Sequence, residues 1–218
     1  MNLEYILNAG KTILLSCGVT IRLFAIVLAV SIPLGFIFTM LAGCKVSPVR
    51  WLMKGLIYLL RGTPLMLQLL FVYFGVPNIP GLGQYFLFDR FSAACFAFIL
   101  NYAAYLAEIY RGGLLAIDQG QYEAAKVLGL TRLQTMTRVI IPQMIRVALP
   151  AVGNEAVTLL KDTALGFTIG LVEITHVTKT MVNNSGNPMM YAVAAVVYLV
   201  INMLITFAFK KAEQKTSF

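Results

Sequence analysis

Long apolar runs alternate with short polar ones along this chain. A helix needs about 20 mainly apolar residues to cross a bilayer, and five runs approach that demand, at 12–42, 51–76, 91–110, 147–172 and 188–209. The pattern predicts an all-α integral membrane protein with five transmembrane helices, a single domain over 1–218, and termini on opposite sides. The longest polar interruption, 118–150, reads DQGQYEAAKVLGLTRLQTMTRVIIPQMIRVALP. Good helix formers fill 121–128, with Asp118 placed to cap their start and Gly129 to stop them. Thr131 and Gln134 then have the spacing of a capping box, opening a second helix that Pro142 should kink or end. The expected product is two short helices joined by one glycine. Isolated helices shorter than about 12 residues are marginal in water, so the first of them needs a partner surface.

Composition agrees with the pattern. Of 218 residues, 59% are hydrophobic and 12% charged, with mean hydropathy +0.81, which excludes a soluble domain. The first run is too long for the apolar part of a signal peptide and no small-x-small site ends it, so it is expected to be retained. Orientation follows from Lys and Arg, which accumulate in cytoplasmic loops. With the N-terminus outside, the inner segments hold Lys45, Arg50, Lys54, Arg111, Lys126, Arg132, Arg138, Arg146, Lys210, Lys211 and Lys215, whereas the outer ones hold Lys11, Arg90 and Lys179. The net charge of +8 then reflects topology and anionic lipid, with no nucleic acid implied. The polar segment, with its loop at 111–146, falls in the cytoplasm. Cys17, Cys44 and Cys95 lie in or beside apolar runs without paired spacing, which argues against a disulfide framework or a metal site.

Ionisable residues inside apolar runs are costly unless they face a bundle interior or a cavity. In the fourth run Glu155, Thr158 and Asp162 share a helical face, with Lys161 on its neighbouring edge. Such a face offers both signs to a zwitterion, and it would equally serve ion pairs that fix helix packing, including one to Arg61. In the second run Arg61-Gly62-Thr63-Pro64 places a cation beside a helix break, and freed backbone groups at membrane depth are tolerated only against protein or water. The break would line a cavity, or be an ordinary packing kink with a snorkelling arginine. In the third run Asn101, Tyr105 and Glu108 share a face, and Glu108 is expected to pair with Arg111. Arg22 is expected at the outer edge.

Glu123-Ala124-Ala125, three residues, Gly129, nine residues, then Val139-Ile140-Ile141-Pro142 resembles the EAA motif of bacterial ATP-binding-cassette (ABC) importer permeases, with Val139 and Ile141 where Ile and Leu are usual. The stretches RGTP with LMLQLLFVYFG, NYAAYLAEIYRGG, GQYEAAKVLGL and LKDTALGFTIG are similar to the polar amino-acid branch of that family, Ala164 replacing a frequent serine. The resemblance implies a type I importer transmembrane domain in the bacterial inner membrane. It implies a second permease subunit, two ATPase subunits that carry ATP-Mg, an extracytoplasmic substrate-binding protein, and no cofactor or catalysis on this chain. By the same resemblance, Glu123, Ala124, Ala125, Gly129 and Pro142 belong to the ATPase-coupling segment. Arg61, Thr63, Asn101, Glu155, Lys161 and Asp162 are expected near a midplane site for an amino acid.

Two other functions fit less well. A self-sufficient carrier is opposed by five spans without an internal repeat. An intramembrane enzyme is opposed by the lack of a nucleophile and base that could be paired, since Asn184-Ser185-Gly186 lacks protease context and His176, the only histidine, is expected to be solvated in an outer loop with Glu173 and Lys179. Gly10-Lys11-Thr12 imitates the end of a phosphate loop but has Tyr5 where the first glycine belongs.

Overall fold

A computed structural model describes residues 3–81 and 83–216, with side chains described for 10–81 and 83–215, so the extreme ends of the expected 1–218 domain lie outside it. The described residues form helices and no strand. They are α1 (Leu3–Ala42), α2 (Ser47–Gly62), α3 (Leu65–Leu70), α4 (Arg90–Leu115), α5 (Gln119–Val127), α6 (Arg132–Gln134), α7 (Ile141–Asp162), α8 (Ile174–Ser185) and α9 (Met189–Thr216). Among the described residues, three stretches are by themselves long and apolar enough to cross a membrane: Gly10–Ala42, Arg90–Leu115 and Met189–Lys215. The pair Ser47–Gly62 and Leu65–Asn78, bent by 107°, would make a fourth. The remaining run is carried by α7, whose Asn154, Glu155, Lys161 and Asp162 make it more polar than the others, and it tightens into a 3-10 segment at Thr163–Ile169.

α4 is the central element, packed against α1, α2, α3 and α7. Its buried face is built largely of small residues, Ala93, Ala94, Ala97, Ala103, Ala104 and Ala107, and small residues are what let helices approach closely where lipid supplies no hydrophobic drive. At the tightest crossing, a Cβ on Gly35 of α1 would stand 2.8 Å from Leu106 Cβ and 3.0 Å from the Ala103 carbonyl, so only glycine fits. Hydroxyls fasten the same contact. Thr39 Oγ1 donates to the Ala107 carbonyl at 3.0 Å, Ser31 Oγ to Ile99 at 3.3 Å, and Tyr110 Oη to Ile32 of α1 at 3.3 Å.

One expectation is narrowed and one is corrected. Of the two outcomes expected at Pro142, a kink or an end, the structure excludes the end of the helix that Thr131 opens. α6 runs through a π-helical segment, Thr135–Ile140, straight into α7, with Pro142 in the first turn of α7. The wider π turn just upstream is what accommodates a residue with no N–H to give inside the continuing helix. The segment around His176 is not a solvated loop either, but the helix α8, which opens at Glu173. Glu173 is fully buried and caps α8, accepting from the backbone N–H groups of Thr175 and His176 at 2.7 Å each and from Tyr198 Oη at 3.1 Å. Burial pushes its carboxyl above the ordinary carboxylate range, and those hydrogen bonds oppose the rise. His176 is only partly exposed on α8, and Lys179 is exposed with its ammonium over the Phe167 ring.

Candidate functional site

The polar segment after α4 folds as its caps dictate. Asp118 Oδ1 accepts from Gly120 N at 2.7 Å and opens α5. Gly129 closes it with φ +73°, a left-handed conformation that glycine adopts without strain, as Gly129 N and Leu130 N reach back to the Lys126 and Ala125 carbonyls. Thr131 and Gln134 form the reciprocal capping box, at 2.9 and 3.3 Å. Gln143 Nε2 donates to Gln121 Oε1 at 3.1 Å, tying α5 to α7. Within α5 only Ala125 is buried. Glu123 and Ala124 are exposed, beside Val127 at 87% and Leu128 at 77% exposure. A short helix that buries one alanine and leaves its large apolar side chains outside has the character of a docking surface.

The second site centres on the break between α2 and α3. Pro64 has no N–H to give the carbonyl four residues back, Leu60, and two amides replace it. Gln68 Nε2 donates to the Leu60 carbonyl at 2.8 Å and to Thr63 Oγ1 at 2.7 Å, while Asn101 Nδ2 donates to the same carbonyl at 3.1 Å and to Gln68 Oε1 at 3.0 Å. Thr63 Oγ1 itself donates to the Leu59 carbonyl at 2.8 Å. The break is therefore closed by protein groups, and Asn101, which is buried, holds it.

On the next residues of α4, Tyr102 Oη donates to Asp162 Oδ2 at 2.7 Å, bringing the end of α7 to this point. Arg61 lies with its guanidinium 5.4 Å from the Tyr105 ring centre and 3.8 Å from Glu108 Oε2. Glu108 takes its shorter bond, 2.7 Å, from Arg111, as the spacing leads one to expect. Glu155 is half-buried and close enough to Asp162 and Arg61 to feel both charges, and neither Glu155 nor Asp162 is in a salt bridge among the described residues. Lys161 is exposed, in no salt bridge among the described residues, and close enough for its charge to act on Asp162. Thus α2, α4 and α7 bring Arg61, Thr63, Asn101, Glu155 and Asp162 to one region, with Lys161 at its margin. Sequence reasoning missed Gln68 and Tyr102. Gln68 had a signal, a lone amide four residues after a proline in an apolar run. Tyr102 had none beyond its place next to Asn101.

Residues 31–218 match the family described as binding-protein-dependent transport system inner membrane component. The chain belongs to that family. The octopine transport system permease protein OccM of Rhizobium meliloti is 37% identical, over 92% of this chain and 85% of the relative. The arginine transport system permease protein ArtQ of Bacillus subtilis is 34% identical, over 99% of this chain and 98% of the relative. Among solved structures, an amino acid ABC transporter crystallised with histidines superposes with TM-score 0.89 at 28% identity, covering 99% of both chains. The inward-facing MetNI methionine transporter, at 17% identity and TM-score 0.74 over the whole of both chains, shares the fold. This inner membrane component thus has the all-helical type I ABC importer transmembrane fold.

Proposed function

We propose that the chain is the permease subunit of an ATP-driven importer for a polar L-amino acid or close analogue. It works with a second permease subunit, two ATPase subunits holding ATP-Mg, and an extracytoplasmic binding protein. The N-terminus is outside, five spans cross the membrane, and the loop carrying α5 is cytoplasmic. The observation that carries this reading is the exposed apolar face of α5 around Glu123, which leaves Val127 and Leu128 without a place to bury inside the chain. In the proposed mechanism the binding protein delivers ligand to the outer side. Closure of the ATPases then pulls on α5, and Gln121, Gln143 and the π segment transmit the movement to α7. At the other end of α7, Asp162 gives its Oδ2 to Tyr102 and keeps Oδ1 for a ligand ammonium, with Glu155 adding a second negative charge. Relatives named for octopine, arginine, nopaline and cystine transport fit a ligand of that kind.

Proteoliposomes test it. This chain reconstituted with its ATPase and binding protein should take up a basic or sulfur-containing L-amino acid only when ATP is on the ATPase side, and this chain alone should take up none. Uptake by the chain alone, driven by an ion gradient and indifferent to ATP, would refute the proposal.

A further inference from the structure

A cavity of about 650 Å³ opens between the ends of α1, α2 and α4 that the proposed orientation puts at the cytoplasmic leaflet. Its charged lining is Lys54, Arg61, Arg111 and a single carboxylate, Glu108. Both arginines already share Glu108, and Lys54 makes no salt bridge among the described residues, so the cavity carries a surplus of positive charge. Its other walls are apolar, with Met40, Tyr58 and Leu115 turned partly or largely outward. Arg50, four residues before Lys54, continues the cationic face of α2 towards its start, where it donates to the Cys44 carbonyl and Ser47 Oγ. Trp51, at 71% exposure beside it, is the residue type that sits at headgroup level. Lys54 lies seven residues into α2, about 10 Å along its axis at 1.5 Å per residue, within reach of the interface for a snorkelling lysine.

We propose that this cavity holds the headgroup of an anionic phospholipid, its phosphate between Lys54 and Arg111 and its acyl chains along Met40, Tyr58 and Leu115. Basic pockets between membrane helices on the cytoplasmic side recognise anionic headgroups by this combination of surplus charge and apolar wall. A soluble anion would satisfy the charges but leave the apolar wall uncovered. The cavity borders the ligand region at Arg61, and its place at the cytoplasmic leaflet rests on the proposed orientation, but lipid retention is read without transport and can fail while uptake stands.

The test uses the assembled transporter, exchanged into phosphatidylcholine nanodiscs with or without phosphatidylglycerol, with the phosphatidylglycerol retained per complex counted by native mass spectrometry. Wild type should retain it. Lys54→Gln should retain it about fivefold more weakly, the value of one lysine near an anionic lipid surface, and Lys210→Gln, elsewhere on the basic side, should match wild type. Glu108→Gln, which removes only negative charge, should raise retention. Equal retention by wild type and Lys54→Gln would overturn the proposal. So would displacement of the lipid by free L-arginine, which would make the cavity part of the ligand's route.

Discussion

Glu123→Lys should leave the chain folded and inserted in the membrane while cutting ligand uptake by about 100-fold. The side chain is exposed on α5 and makes no hydrogen bond or salt bridge among the described residues, so its replacement costs this subunit nothing. Its effect must be felt in a partner. A carboxylate at the centre of a docked helix is paired there, and removing one member of a buried charge pair costs about 2–5 kcal/mol; about 3 kcal/mol corresponds to ~100-fold. The decisive readout is the ratio of uptake to ATP hydrolysis. Assembly weakens or hydrolysis loses its response to ligand, while the amount of permease in the membrane is unchanged. Normal uptake by this variant would remove Glu123 from the coupling.

Asp162→Asn is expected to have the second large effect, confined to ligand. The asparagine carbonyl can still accept from Tyr102 Oη, so the 2.7 Å contact that joins α4 to α7 is retained. What is lost is a charge-assisted hydrogen bond to the ligand, about 1.5–3 kcal/mol, which raises the concentration for half-maximal uptake by ~10- to 100-fold. ATP hydrolysis without ligand should not change, because α5 is untouched. An unaltered concentration dependence would take Asp162 out of the site.

What the sequence disclosed and what it hid divide along one line. Features written in local spacing were legible: the caps of α5 at Asp118 and Gly129, the capping box at Thr131 and Gln134, the break at Pro64, and the pairing of Glu108 with Arg111. Features made by contacts across the fold were not. Asn101 meets the Leu60 carbonyl and Gln68 from another helix, so an amide that shares a face with Tyr105 and Glu108 turns out to be spent on closing the break. The stretch of Glu173 and His176 reads as an outer loop because nothing near it in the chain announces that Tyr198 will cover Glu173. Pro142 reads as a kink or an end because proline usually makes one or the other, and a π turn just upstream is invisible to a pattern built on 3.6 residues.

The central claim is that α5 faces the cytosol and is covered there by the ATPase. A cysteine at Val127, introduced where Cys17, Cys44 and Cys95 have been replaced, reports both halves with a membrane-impermeant maleimide. Labelling should occur in inside-out vesicles of the permease, fail in right-side-out vesicles, and be blocked once the ATPase subunits are bound. Labelling from the outer side, or equal labelling with and without the ATPase, would contradict it.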